Sequence, residues 1–249
     1  MSGHSHWAGI KHKKAVVDAK RGKLWSKIAR MIIVAAKAGG GDPAANLSLR
    51  YAIEKAKAAN MPKDTIEKAI KKGTGELGGV EYVEVLYEGY APGGVAIMVE
   101  GLTDNRNRTA PEIKKIFERR GGSLGVSGCV RRMFKKKGLI TVKTDAVGED
   151  ELMELALSAG ADDMQNTGQV YEITCAPDVF DALKSALEQK QIPLQSAELS
   201  MIPDTTVPIT DVETAQKILN MMEEFEDHDD VQEVYANFDI PDEILAKIQ

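Results

Sequence analysis

Three of the four histidines lie close together at the start of the chain, where they could bind a metal ion. His4, His6 and His12 have the spacing H-x-H-x5-H, which could supply three zinc ligands. A closed structural zinc site needs a fourth ligand, usually cysteine or histidine, and Cys129 and Cys175 lie far along the chain. Lysines interleaved with these histidines also disfavour a cation. The sequence therefore predicts no metal site.

Cys129 is the second candidate for chemistry, because a thiolate is a good nucleophile. It lies in SGCVRR, where the basic neighbours could lower its pKa. No second motif supplies an evident general base, and a small buried thiol is the commoner state of a cysteine. The prediction is a protein that is not an enzyme, with an enzyme using Cys129 or His12 kept as a minor alternative.

The stretch GTGELG, from Gly73 to Gly78, matches the G-x-G-x-x-G pattern of dinucleotide-binding loops. That function requires a strand before the loop and a helix after it, so that the pyrophosphate sits on the helix N-terminus. Here the hydrophobic periodicity predicts a helix before the loop and strands after it. The stretch is therefore predicted to be a linker, and the protein is predicted to use no cofactor and no small-molecule substrate.

Charge is distributed very unevenly along the chain. The whole protein has a net charge of -6, but residues 1–75 hold 16 Lys or Arg and 5 Asp or Glu, whereas residues 141–249 hold 5 and 25. Charge separation of this size indicates a polyanionic partner for the first segment. The acidic segment is interpreted as a solubilising surface, as a region kept off nucleic acid, or as a surface for a protein partner.

Basic residues concentrated in this way predict phosphate contacts, which give affinity without reading sequence. They lie in the N-terminal arm, in the first helix and in LTDNRNRT; a further basic run, VRRMFKKK, follows. The predicted nucleic-acid contacts are Lys11, His12, Lys13, Lys14, Lys20, Arg21, Lys23, Lys27, Arg30, Arg106 and Arg108.

The segment that carries most of these residues is predicted to be helical. From Leu24, apolar residues recur at offsets 4, 7, 8 and 11, which is one face of a helix over residues 17–38. Asp42 and Pro43 predict the start of a second helix that ends near Asn60, and a third is expected over residues 62–73. Three short helices with basic outer faces predict a small bundle.

The rest of the chain alternates strands and helices. A hairpin is predicted around GYAPGG, followed by a helix over residues 109–120, and residues 139–202 read β-α-β-α-β, close to a ferredoxin-like unit with one strand missing. The predicted fold is α+β with three domains: a basic arm and helical bundle (1–79), a discontinuous α/β domain (80–133 with 206–249) and an inserted ferredoxin-like α/β domain (134–205).

The predicted location is the cytoplasm. The longest apolar run, MIIVAA at residues 31–36, is far shorter than the roughly 20 residues that span a bilayer. The basic N-terminus has no apolar segment of the kind that a secretory signal requires, and two cysteines are too few for a disulfide framework. No membrane partner is expected.

Long stretches of the sequence resemble the YebC/PmpR family. They include GHSHWAGIKHKK, DAKRGKLWSKIARMI, AAKAGGGDPAANLSLRYAI, YEGYAPGGVAIMVEGLTDNRNRT and GGSLGVSGCVRRMF, and the resemblance is densest over residues 3–134. Departures are small: His6 stands where many members have lysine, and Ala91 where glycine is usual. The resemblance implies a helical N-terminal domain followed by two α/β domains.

The resemblance also implies two possible functions. Members of the family are described as probable transcriptional regulators that bind DNA, and others, including mitochondrial relatives, as translational activators that act with the ribosome. No helix-turn-helix with base-reading side chains can be assigned, which favours RNA. The prediction is a DNA-binding transcriptional regulator, with a ribosome-associated factor that binds rRNA or tRNA and eases stalled translation as the alternative.

Overall fold

The computed structural model describes residues 18–78 and 81–248, and of residues 18–20 and 242 it describes the backbone alone. This part of the chain divides into two compact units. The first contains residues 18–129 and 212–234, and the second contains residues 130–211 and 235–248. Each unit is thus built from two separate stretches of chain. No helix within the described residues is both long enough and apolar enough to cross a bilayer.

Within the described residues, helices and strands alternate after three consecutive helices, which confirms the predicted α+β class with its helical N-terminal region. The helices are α1 (Asp18–Gly39), α2 (Leu47–Ala58), α3 (Lys63–Gly73), α4 (Arg106–Arg119), α5 (Glu149–Ser158), α6 (Phe180–Gln189), α7 (Val212–Asp227) and α8 (Asp242–Leu245). The strands are β1 (Val83–Ala91), β2 (Val95–Thr103), β3 (Ser123–Leu124), β4 (Phe134–Lys143), β5 (Ala161–Asn166), β6 (Val170–Cys175), β7 (Leu194–Pro203), β8 (Val207–Pro208), β9 (Val231–Ala236) and β10 (Phe238–Asp239).

Helices α1, α2 and α3 pack around a small apolar core. Ile28 and Ile32 of α1 are buried against Leu49 of α2 and Ile66 of α3, as the apolar spacing predicts. Leu24, the first residue of the predicted apolar face, is 40% exposed and does not join this core. Since α2 and α3 have only 12 and 11 residues and are marginal as isolated helices, burial of these faces stabilises the bundle.

The start of α2 differs from the prediction, which placed it at Asp42. Asp42 lies in a turn that precedes the helix, and Asn46 is the residue that caps it: its Oδ1 accepts the N–H of Leu49 at 3.1 Å. The Nδ2 of Asn46 donates to the carbonyls of Ala35 and Gly40, each at 2.8 Å. The buried Asn46 side chain therefore joins the end of α1 to the start of α2.

The first unit also contains a four-stranded sheet with the order β3-β1-β2-β9. Strands β1 and β2 form the predicted hairpin, with Val83 opposite Thr103 and Ala91 opposite Val95. Helices α4 and α7 pack together, and the rings of Phe117 and Phe225 meet edge to face with centroids 4.8 Å apart. The late strand β9 thus extends a sheet begun by the early hairpin.

Helix α4 begins three residues before the predicted start at Thr109. Asn105 caps it, because its Oδ1 accepts the N–H of Arg108 at 3.1 Å. Arg106 and Arg108 therefore lie on the first turn of a helix and not in the preceding loop. Pro111 lies in the second turn, where it removes one intrahelical hydrogen bond, the one to the carbonyl of Asn107.

The second unit contains an antiparallel sheet with the order β5-β6-β4-β7, and α5 and α6 connect its strands. This is the ferredoxin-like arrangement β-α-β-β-α-β. The strand missing from the sequence prediction is β5, whose residues ADDMQN bury only Met164. Gly138 of β4 allows Phe180 and Cys175 to approach closely, since a Cβ there would lie 2.6 Å from atoms of both side chains.

Candidate nucleic-acid interface

The predicted contact residues fall into three groups. Lys11, His12, Lys13 and Lys14 lie outside the described residues, and Lys20 is described only as part of the backbone of α1. Arg21, Lys23, Lys27 and Arg30 lie on α1, and Arg106 and Arg108 lie on the first turn of α4. The structure therefore tests the surroundings of the last two groups, and these prove to be close to one another.

Two lysines of α1 point at the C-terminal end of α7. The Nζ of Lys23 donates to the carbonyl of Asp227 at 3.1 Å, and the Nζ of Lys27 donates to the carbonyl of Glu226 at 2.5 Å. The last carbonyls of a helix have no partner within the helix and carry the negative end of its dipole. Lys23 and Lys27 therefore act as a C-terminal cap for α7, a role that the sequence did not suggest.

Arg30, one turn further along α1, reaches the buried carboxylate of Asp230. Its Nη1 donates to Asp230 Oδ1 at 2.8 Å and to the carbonyl of Asp229 at 2.6 Å. The side chain of Arg30 is 18% exposed and that of Asp230 is 3% exposed. The guanidinium also lies over the ring of Tyr82, 5.3 Å from its centroid. Arg30 thus has its charge compensated within the fold.

Asp230 also binds the second predicted cluster. Arg108 Nη2 donates to Asp230 Oδ2 at 2.7 Å, and the hydroxyls of Thr109 and Thr103 donate to the same oxygen at 2.7 and 3.2 Å. Burial raises the pKa of Asp230, but the hydrogen bonds from Arg108 and Thr109 and the charge of Arg30 outweigh it, so the pKa lies below its ordinary value. The hydrogen bond and charge of Asp230 in turn raise the pKa of Arg108.

Two basic clusters that the sequence treats as separate phosphate contacts therefore meet on one carboxylate. Arg30 and Arg108 bind Asp230, although the Arg108 side chain is 44% exposed, whereas Arg106 donates to the carbonyl of Glu84 at 3.1 Å. Sequence reasoning missed Asp230, because it stands at the end of the acidic run EDHDD, where buried and exposed carboxylates look alike. No pattern in that run distinguishes it.

Two further ion pairs link the helical bundle to other parts of the first unit. Lys37 of α1 pairs with Glu81, and Lys55 of α2 pairs with Glu233 of β9. Pairs this exposed contribute little individually. They show, however, that these two cations of the bundle are engaged within the unit.

The surroundings of Cys129 disfavour a nucleophilic thiolate. Burial raises the pKa of its thiol, and the negative charge of the nearby Glu88 raises it further, whereas a nucleophile needs a lowered pKa. Glu88 is itself buried and accepts the N–H of Gly128 at 2.6 Å. The other enzyme candidate, His12, lies outside the described residues.

The acidic run at the end of α7 does not form a metal site in the described part of the chain. No group of three or more histidine, cysteine, aspartate or glutamate side chains there is arranged to hold a metal ion. The imidazole of His228 lies 3.0 Å from Glu112 of α4, and its Nδ1 accepts the N–H of Asp230. His228 is thus part of the turn that positions Asp230.

Comparison with known proteins places the chain in one family. Residues 5–76 match the family model described as the TACO1/YebC protein N-terminal domain, and residues 82–238 match the model described as the TACO1/YebC second and third domain. A crystal structure of a conserved hypothetical protein from Aquifex aeolicus superimposes with a TM-score of 0.85 at 52% identity, and the match covers 95% of this chain and 97% of that one.

Curated relatives match over the whole chain. A protein of Elusimicrobium minutum is 54% identical, covering 100% of this chain and 99% of its own length, and one of Dictyoglomus thermophilum is 56% identical, covering 100% of both. Each is named a probable transcriptional regulatory protein. These matches confirm the resemblance seen in the sequence: the chain belongs to the TACO1/YebC family.

Proposed function

We propose that this protein is a nucleic-acid-binding regulator of gene expression, and in particular a DNA-binding transcriptional regulator. The observation that carries the proposal is the charge distribution: 16 basic and 5 acidic residues in positions 1–75 of a protein whose net charge is -6. A positive segment of this kind is attracted to the phosphate backbone. The names of its relatives, probable transcriptional regulatory proteins, support the same function.

The proposed contact begins with the N-terminal arm. Lys11, His12, Lys13 and Lys14, with Lys20 and Arg21 at the start of α1, bind phosphates, and Arg106 adds a contact from the first turn of α4. Lys23 and Lys27 bind the last carbonyls of α7, and Arg30 and Arg108 bind Asp230 in the turn that follows, so these four residues support the proposed surface through contacts within the first unit. Such contacts set affinity and orientation and leave sequence unread.

The test is a charge reversal of the arm. The triple variant K13E/K14E/R21E removes three proposed phosphate contacts, and each contact contributes about 0.9 to the slope of log K against log salt. The expected result is a slope shallower by roughly 2 to 3 in fluorescence-anisotropy titrations with a labelled DNA duplex. The matched control is K143E/K190E/K247E, which makes the same change in net charge at exposed lysines of the second unit. Equal slopes for the two variants would exclude the arm as a phosphate-binding segment.

One observation favours the alternative, a ribosome-associated translation factor. Helix α3, the second of the α2–α3 pair, has the sequence KDTIEKAIKKG, which contains none of the asparagine and glutamine side chains that read adenine and no arginine for guanine. A promoter-specific regulator should prefer its operator to random DNA by ~10³ or more at physiological salt. Co-sedimentation with ribosomes, together with no such preference, would assign the protein to translation.

A further inference from the structure

Helix α3 presents lysines on the side opposite its buried residues. Ile66 and Ala69 are buried in the bundle, whereas Lys68, Lys71 and Lys72 are exposed. At about 100° per residue these three lysines lie within roughly a third of the helix circumference. They therefore form one surface patch, which we call the α3 lysine patch.

The patch carries positive charge that the fold does not neutralise. Within residues 18–78 and 81–248, none of its three lysines forms an ion pair. The acidic residues of α3 lie nearer its N-terminus: Asp64 is in the first turn, and Glu67 pairs with Lys63 at 3.6 Å. The C-terminal half of the helix is therefore uniformly positive up to Glu76, which accepts a hydrogen bond from Thr74 in the turn that follows.

Several cations of the other two helices are engaged within the first unit. Lys27 of α1 binds the carbonyl of Glu226 at the end of α7, Arg30 binds Asp230, Lys37 pairs with Glu81, and Lys55 of α2 pairs with Glu233. These contacts stabilise the first unit and satisfy the donors that make them. The α3 lysine patch makes no such contribution, so its charge is available to a partner.

The spacing of the patch suits a nucleic-acid strand. Lys68 and Lys72 are four residues apart, which is about 6 Å along the helix axis. One strand of B-form DNA places a phosphate every ~3.4 Å of its axis, so the patch spans about two successive phosphates. Lysine is a flexible point charge with three donors, which suits contact with the phosphate backbone.

We propose that the α3 lysine patch is a second phosphate-binding surface, which binds the backbone of the nucleic acid without reading its sequence. This inference rests on the proposed function and adds to it a contact on α3, separate in sequence from the N-terminal arm.

The experiment compares the full-length variants K68E/K71E/K72E and K143E/K190E/K247E, which change the net charge equally. Binding to a labelled random-sequence DNA duplex and to a labelled RNA hairpin is measured between about 50 and 200 mM salt. For the patch variant, the expected slope of log K against log salt is shallower by roughly 2 to 3 and the affinity falls about 10- to 100-fold, whereas the control keeps the wild-type slope.

Glutamate in the last turn of α3 could also weaken the helix through its dipole, so K68Q/K71Q/K72Q serves as a second variant. It removes the same charges without introducing repulsion, and it should give the same slope change with wild-type circular dichroism and thermal unfolding. If wild type binds with a steep slope and both patch variants match the control, the inference is overturned and the proposed function stands. If wild type shows no salt-dependent binding to either probe, the inference and the proposed function are both overturned.

Discussion

At the scale of single residues, Asp230 has the most connected side chain described above. It is buried, and it accepts hydrogen bonds from Arg30, Arg108, Thr103 and Thr109, which come from α1, β2 and α4. A buried ion pair contributes modestly to net stability, but loss of one partner leaves the remaining charges without compensation. Stability should therefore depend strongly on this one carboxylate.

Replacement of Asp230 by asparagine should lower the free energy of unfolding by roughly 3 kcal/mol, because Arg30 loses its charged partner and Arg108 keeps only Asp104, at 2.9 Å. Urea unfolding followed by Trp fluorescence measures the change. The matched control is Asp229→Asn, since the neighbouring Asp229 side chain is exposed and only its carbonyl binds Arg30. If the two variants are equally stable, the Asp230 network does not stabilise the fold.

The stability that Asp230 contributes should also depend on pH. The pKa of Asp230 is lowered in the folded state, so it contributes stability above the pKa of an unfolded aspartate, about 3.9. That contribution is lost as the pH falls through the folded-state pKa. The stability difference between wild type and Asp230→Asn should therefore be constant above about pH 5 and shrink below about pH 4. A difference that grows on acidification would contradict the assignment.

At the scale of elements, hydrophobic periodicity predicted the helices of the bundle and the first hairpin, because their apolar faces are regular. It missed β5, since the polar edge strand ADDMQN buries one side chain and shows no alternation. It also placed the start of α2 at Asp42, because Asp42 and Asn46 are both good capping residues in sequence. The tertiary contacts of Asn46 with the end of α1 decide between them.

Asn46→Ala should accordingly lower the free energy of unfolding by about 1 to 3 kcal/mol, since it removes a helix cap and leaves two carbonyls without their donor. Ser48→Ala, at an exposed position of the same helix, should change the stability by no more than about 0.5 kcal/mol. Thermal unfolding of the two variants gives the comparison. A stable Asn46→Ala protein would assign the cap of α2 to another residue.

At the scale of the whole molecule, the sequence predicted a domain interrupted by another, and those boundaries stay a prediction. Its physical basis is that β9 completes the β3-β1-β2 sheet and that α7 packs on α4. The candidate site was predicted less well than the fold. Charge composition located a basic segment, but whether a given arginine faces solvent or Asp230 depends on contacts across long stretches of sequence.

Limited proteolysis tests the interrupted domain. Cleavage in the exposed connections near residues 204–206 should leave a fragment containing residues 212–234 bound to a fragment containing residues 81–129 under native conditions, because the two share one sheet and one core. Size-exclusion chromatography followed by mass spectrometry identifies the fragments. Clean separation of the two fragments without denaturant would rule out a shared domain.

The late position of Asp230 in the sequence also determines when its contacts with Arg30 and Arg108 can form during synthesis of the chain. Arg30 is made 200 residues before Asp230, and Arg108 is made 122 residues before it. At a translation rate of about 5–20 residues per second, Asp230 is synthesised roughly 10 to 40 s after Arg30. Through that interval the nascent chain displays the cations of α1 without the turn that will later bind them. The attachment of α1 and α4 to Asp230 is therefore among the last steps of folding.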